Sequence, residues 1–321
     1  MSILGQASSG EVSFALALLL LTVAGTVAAT WLGLFRRDAV AGPDRAAGPN
    51  GGWPVLVTLL LGTSAWLGTQ MALATYKQAQ WTKAGHEGHF QISNLTPADY
   101  AFLSTVPGVV AIATILATLS FFPRDQRPRL GANPSFLPNG VASGLLAILL
   151  SLPLVLLVSA ATEIIYQAVG FQHPSEHDLL RAMRDPNHPG TRALLVVGAV
   201  LVAPVMEETL FRGLFQTLLV WAFNHRLRPK STSDSSFILH PSSFSSSRLV
   251  VGRWLAILVT AVVFAGIHDK WSVPPIFVLA LCLGFWYERT GNLWTTITLH
   301  ALFNGFQTAY FLTHFSTELP K

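Results

Sequence analysis

Long apolar runs separated by short polar ones set the pattern of this chain. Runs near 12–35, 54–76, 102–122, 141–169, 192–223, 254–270, 274–288 and 292–315 are to be compared with the roughly 20 residues that cross a bilayer as a helix. The sixth and seventh are short, and the fourth and fifth are long. In lipid a backbone must satisfy its own hydrogen bonds, which runs of this kind do as helices. The pattern predicts an all-α fold, a polytopic membrane helix bundle of about eight transmembrane helices. Small residues (Ala24, Ala28, Ala29) follow the first run, as in a secretory signal. It lacks a basic leader, however, and Arg36 and Arg37 lie just beyond it, so it reads as a membrane helix with its N-terminus outside.

Composition supports lipid as the main solvent. The chain has 321 residues, 51% hydrophobic and 11% charged, where a soluble domain carries about 25% charged residues. A net charge of +4 and a pI near 9.5 would suit nucleic acid in a soluble protein. Here the basic residues sit in short loops, which is the pattern of membrane orientation, and no nucleic-acid partner is expected. Arg36, Arg37, Arg45, Arg124, Arg127, Arg129, Arg226, Arg228, Lys230, Arg248, Arg253 and Arg289 mark the richer, cytoplasmic set of loops. Residues 38–53 read as a flexible linker and 172–191 as a polar outer loop. Residues 230–248 are Ser-rich and read as a disordered insertion. Cys282 is the only cysteine, which excludes a disulfide framework and a cysteine-based zinc site.

Charges deep in an apolar run are costly and by default mark function. Glu207, Glu208 and Arg212 lie in such a run, and Pro204 just before them is expected to break the helix. Successive helical residues point about 100° apart, so the two acids cannot share a job. Glu208 and Arg212, at i and i+4, can pair; Glu207 is left free to act as a base. Further on, His268 follows Phe264 by four residues, and His300 precedes Asn304 by four on one helix face. Each is weak evidence alone, but together they form a constellation. It suits an enzyme, and it also suits an ion- or proton-coupled membrane transporter or a non-catalytic immunity or scaffold membrane protein. The absence of internal repeats weighs against the transporter. His86-Glu87-Gly88-His89 lacks the zincin spacing, and neither a phosphate loop nor a serine nucleophile elbow is present.

Three motifs, EExxxR (Glu207, Glu208, Arg212), FxxxH (Phe264, His268) and HxxxN (His300, Asn304), occur in that order. With the approach RTGNLWTTITLHALFN at 289–304, the chain resembles the CPBP family of intramembrane proteases (CAAX protease and bacteriocin-processing, or Abi). The resemblance covers roughly residues 192–310. It divides the chain into N-terminal transmembrane helices over 1–191 and a catalytic membrane core over 192–321, with the Ser-rich insertion at about 230–248. It implies hydrolysis of a peptide bond in a membrane-associated peptide or protein. Glu207 would be the general base, His268 would hold the water, and His300 and Asn304 would donate to the oxyanion, with Glu208 and Arg212 supporting the pocket. Glu207, His268 and His300 also have the donor types of a three-ligand zinc site, but the resemblance favours a metal-free mechanism with no cofactor. It further implies a multi-pass protein of the bacterial cytoplasmic membrane.

Overall fold

The computed structural model describes residues 9–34, 36, 39–40, 52–90, 94–174, 178–183, 188–227 and 243–314, and among them no strand occurs. The helices are α1 (Ser9–Trp31), α2 (Trp53–Lys83), α3 (Pro97–Phe121), α4 (Leu137–Val169), α5 (Asp178–Ala182), α6 (Pro189–Val197), α7 (Ala203–Glu208), α8 (Thr217–Leu227), α9 (Ser243–Gly266), α10 (Val273–Thr290) and α11 (Leu293–His314). From α6 to α8 the chain stays helical throughout, through wider π-helical turns at Gly198–Val202 and Thr209–Gln216.

Each of the eight expected runs is helical. Among the described residues six helices are long and apolar enough to cross a membrane: Trp53–Lys83, Pro97–Phe121, Pro134–Val169, Pro189–His225, Leu249–Gly266 and Lys270–Thr290. In the first run the described apolar helix, Leu16–Trp31, is shorter than these. Helix α11 has 22 residues, but Thr295, Thr296, Thr298, His300, Asn304 and Gln307 dilute its apolar character.

Three expectations are corrected. The helix does not break at Pro204, because a wide turn just before it absorbs the missing donor. Within the Ser-rich segment, residues 243–248 are helical, since they lead directly into α9; residues 230–242 lie outside the described ones, as do 41–51 of the linker. Arg253 is not a loop residue: it lies in α9 and pairs with Glu288 in the last turn of α10. Both are buried.

The chain forms two compact units that do not follow chain order. The first comprises Met1–Gly52, Pro128–His173 and Phe211–Leu299; the second comprises Trp53–Arg127, Pro174–Leu210 and His300–Lys321. In the first unit, α4 carries a buried small-residue stripe of Gly140, Gly144, Ala147 and Ser151. A Cβ added at Gly140 would stand 2.5 Å from Trp294 Cβ, and one at Gly144 would stand 2.5 Å from Thr298 Cβ. The stripe thus lets α4 meet the start of α11 almost backbone to backbone. The segment before α4 is stitched to the α10–α11 turn: Tyr287 Oη donates to Leu130 O at 3.2 Å, Leu293 N–H to Gly131 O at 3.1 Å and Asn292 Nδ2 to Phe136 O at 2.8 Å.

In the second unit α2 packs on α3, and α3 packs on the helix that carries the acids. Gly198 and Gly108 set that second approach. A Cβ at Gly198 would stand 2.7 Å from Thr105 Oγ1, and one at Gly108 would stand 3.1 Å from Val202 Cγ1. Met183, Leu195 and Ala101 make a small core beside them.

Candidate active site

The wide turns bracket the acids. In Gly198–Val202 the Ala203 N–H reaches back five residues to Gly198 O instead of four. Pro204, with no N–H to place, then begins a short stretch of ordinary helix that ends at Glu208, where the second set of wide turns starts. Each wide turn rotates the next stretch of side chains away from its place in a regular helix, and π-turns of this kind recur at functional sites.

In the second unit Glu207, Glu208 and His300 come together. Glu208 is fully buried, and its Oε1 lies 2.8 Å from His300 Nδ1. Glu207 is half-buried, with Oε2 3.8 Å from His300 Nε2. The imidazole therefore has one nitrogen engaged by the buried acid and the other turned toward the more accessible one. The sequence assigned the two acids different jobs, and the structure gives them different environments. An interval of 3.8 Å is too long for a hydrogen bond, but one oxygen placed off the line between the atoms can lie about 2.8 Å from each.

Asn304 sits one turn further along α11, with Nδ2 2.9 Å from Ala199 O. Ala199 was not singled out from the sequence, because a backbone carbonyl is the same at every position and leaves no trace in residue identity.

The first unit holds Arg212, Phe264 and His268. A carbonyl can only accept, so the 2.7 Å contact of His268 Nδ1 with Phe264 O places the hydrogen on Nδ1 and leaves Nε2 as the acceptor. The Phe264 ring lies against the His268 ring with centroids 4.8 Å apart, meets Phe211 edge-on at 5.0 Å and carries the Arg212 guanidinium 4.4 Å above it. Phe264 therefore serves two motifs at once, fixing the tautomer of His268 with its carbonyl and seating the fully buried Arg212 with its ring. Arg212 Nη2 also contacts Ala280 O at 3.4 Å. Below it Gln216 Nε2 donates to Gly284 O at 3.1 Å and to Glu288 Oε1 at 3.0 Å, and Arg253 Nη1 pairs with Glu288 Oε2 at 2.5 Å. Arg212, Gln216 and Glu288 stand in the sequence as polar positions along apolar helices, whereas Ala280 and Gly284 contribute backbone carbonyls that residue identity does not reveal.

Comparison with protein families supplies one match. Residues 189–306 fit the model described as Type II CAAX prenyl endopeptidase Rce1-like. This segment is similar to Rce1-like CAAX-protease domains. It contains all seven motif residues, Glu207, Glu208, Arg212, Phe264, His268, His300 and Asn304, and agrees with the CPBP resemblance read from them. With six helices apolar and long enough to span, the Rce1-like segment belongs to an integral, multi-pass membrane protein. No curated protein and no solved structure matches the chain. The match begins at 189, yet α4 packs within the first unit against α10, so part of the Rce1-like segment is built around a helix that lies before it in the chain.

Proposed function

We propose that this protein is an intramembrane endopeptidase that cleaves a membrane-associated peptide or protein by glutamate-activated water. The observation that carries the reading is the His300 imidazole held at Nδ1 by buried Glu208, with Nε2 3.8 Å from Glu207. An oxygen lodged beside that interval is within reach of a base and an imidazole at once. Glu207 takes a proton from the water, and the hydroxide adds to the scissile carbonyl carbon. As the C–N bond breaks, Glu207 returns the proton to the leaving nitrogen. His300, as an imidazolium with Nδ1–H held by Glu208 and Nε2–H left to donate, and Asn304 take the oxyanion role, which in a dry site contributes roughly 3–4 kcal/mol per donor. Glu208 holds the ring in plane, and Arg212 acts through Phe264. His268 enters from the family motif as the residue that holds the water, and its acceptor nitrogen, Nε2, suits that role. The reading uses no metal, so turnover should survive exhaustive chelation.

The test is cleavage of quenched peptides, farnesylated and unmodified, by the full chain in lipid nanodiscs beside Glu207→Gln. Removing a general base should lower turnover by about 10²–10⁴-fold. Equal cleavage by both proteins would refute the assignment of Glu207. Cleavage of only the farnesylated peptides would narrow the substrate to prenylated C-termini.

A further inference from the structure

An α-helix would give the Ala199 carbonyl the N–H of Ala203. That N–H is bonded to Gly198 O instead. Position 204, whose N–H a wider turn would use, is proline. Ala199 O therefore receives neither helical donor. In an apolar helix a freed carbonyl must find a partner elsewhere, and here the partner is the Asn304 amide at 2.9 Å.

The consequences run along both helices. Asn304 Nδ2 has two hydrogens; the bond to Ala199 uses one and sets the plane, and so the direction, of the other. Asn304 lies one turn from His300 on α11, while Glu207 and Glu208 lie three and four residues after Pro204. A tie between Asn304 and Ala199 therefore fixes how far α11 has slid along the helix that carries the acids.

We propose that Pro204 and Ala199 are positioning residues. By withholding its N–H, Pro204 reserves the Ala199 carbonyl for Asn304, and that bond holds His300 in register between Glu207 and Glu208. The catalytic consequence rests on the proteolytic reading of the site; the structural consequence does not.

A double-mutant cycle on the full chain in nanodiscs tests this, with thermal unfolding and peptide turnover read in parallel. Asn304→Ala alone leaves the Ala199 carbonyl without a donor and should lower Tm by about 3 °C or more. Pro204→Ala restores a backbone N–H to the helix, so Ala199 can be satisfied internally. In that background Asn304→Ala should shift Tm by less than about 1 °C. Pro204→Ala alone should lower kcat about tenfold with little change in KM, because the substrate still binds while His300 and Asn304 lose their register. Equal Tm losses from Asn304→Ala in both backgrounds would overturn the proposal whatever the peptides do. Absence of wild-type cleavage with a coupled Tm cycle would leave the positioning pair standing and count against proteolysis. If Pro204→Ala does not fold, Asn304→Asp carries the test. At a pH high enough to ionise the new carboxyl, it sets an oxygen against the Ala199 oxygen and should lower Tm further than Asn304→Ala, and an equal or smaller loss there would overturn the pairing.

Discussion

Glu208 and Glu288 are both fully buried carboxylates, and the two units hold them in opposite ways. Glu288, in the first unit, has a guanidinium on one oxygen and an amide on the other, from Arg253 and Gln216. Its charge is matched and both oxygens are engaged, so it can do little except hold α9, α10 and the wide turns before α8 together. Glu208, in the second unit, bonds an imidazole whose other nitrogen faces a second, half-buried acid. Imidazole is the side chain best able to gain or lose a proton near neutral pH, and Glu207 is accessible enough to meet a substrate. One buried carboxylate therefore closes a packing lock, while the other holds an imidazole that the proposed mechanism uses. Burial alone does not distinguish them; the partner does.

The largest expected effect would separate the two acids directly. Glu207→Gln should remove about 10²–10⁴-fold of turnover with Tm nearly unchanged, whereas Arg253→Ala should leave Glu288 uncompensated and cost about 3–5 kcal/mol of stability. Thermal unfolding and peptide cleavage on the same preparations check both. A stable but inactive Arg253→Ala protein would break the comparison, because the first-unit pair would then serve chemistry rather than packing. Next in size is Gly144→Val, whose added side chain would press on Thr298 where a Cβ alone would stand 2.5 Å away. Overpacking of this kind costs about 1–3 kcal/mol, and a mutant with wild-type Tm would show that α4 is not tightly built against α11. The smallest effect is expected from Phe264→Leu. It keeps the backbone carbonyl that orients His268 but removes the ring beneath Arg212, for a loss of about 0.5–2 kcal/mol. If turnover fell far more than stability, Phe264 would belong with the chemistry and not with the packing lock.

Particular residues show why some of this was legible in advance. Glu207, Glu208, His300 and Asn304 stood out because polar groups are rare in apolar helices, so their mere presence there was informative. The distinct jobs of the two acids were an expectation from helical rotation; what the structure adds is that one is fully buried and the other half-buried. Arg253 was misplaced as a loop residue because hydropathy marks where a run stops and does not reveal which neighbour covers its last turn. Pro204 was expected to break its helix. A π-turn is a cooperative adjustment of several residues and leaves no composition of its own.

The amino-acid sequence alone determined the membrane helices, their order and the set of polar residues they carry. Each of these depends on local quantities: the length of an apolar run, the cost of a charge in lipid and the repeat of an α-helix. Tertiary structure decided which polar group met which. His300 chose Glu208 across 92 positions of chain, Asn304 found Ala199 O across 105, and Gln216 reached Glu288 across 72. Those pairings depend on how far one helix slides along another, which is set by where glycines permit close approach and where a wide turn shifts the register. Both are properties of packed helices and not of any one segment read by itself.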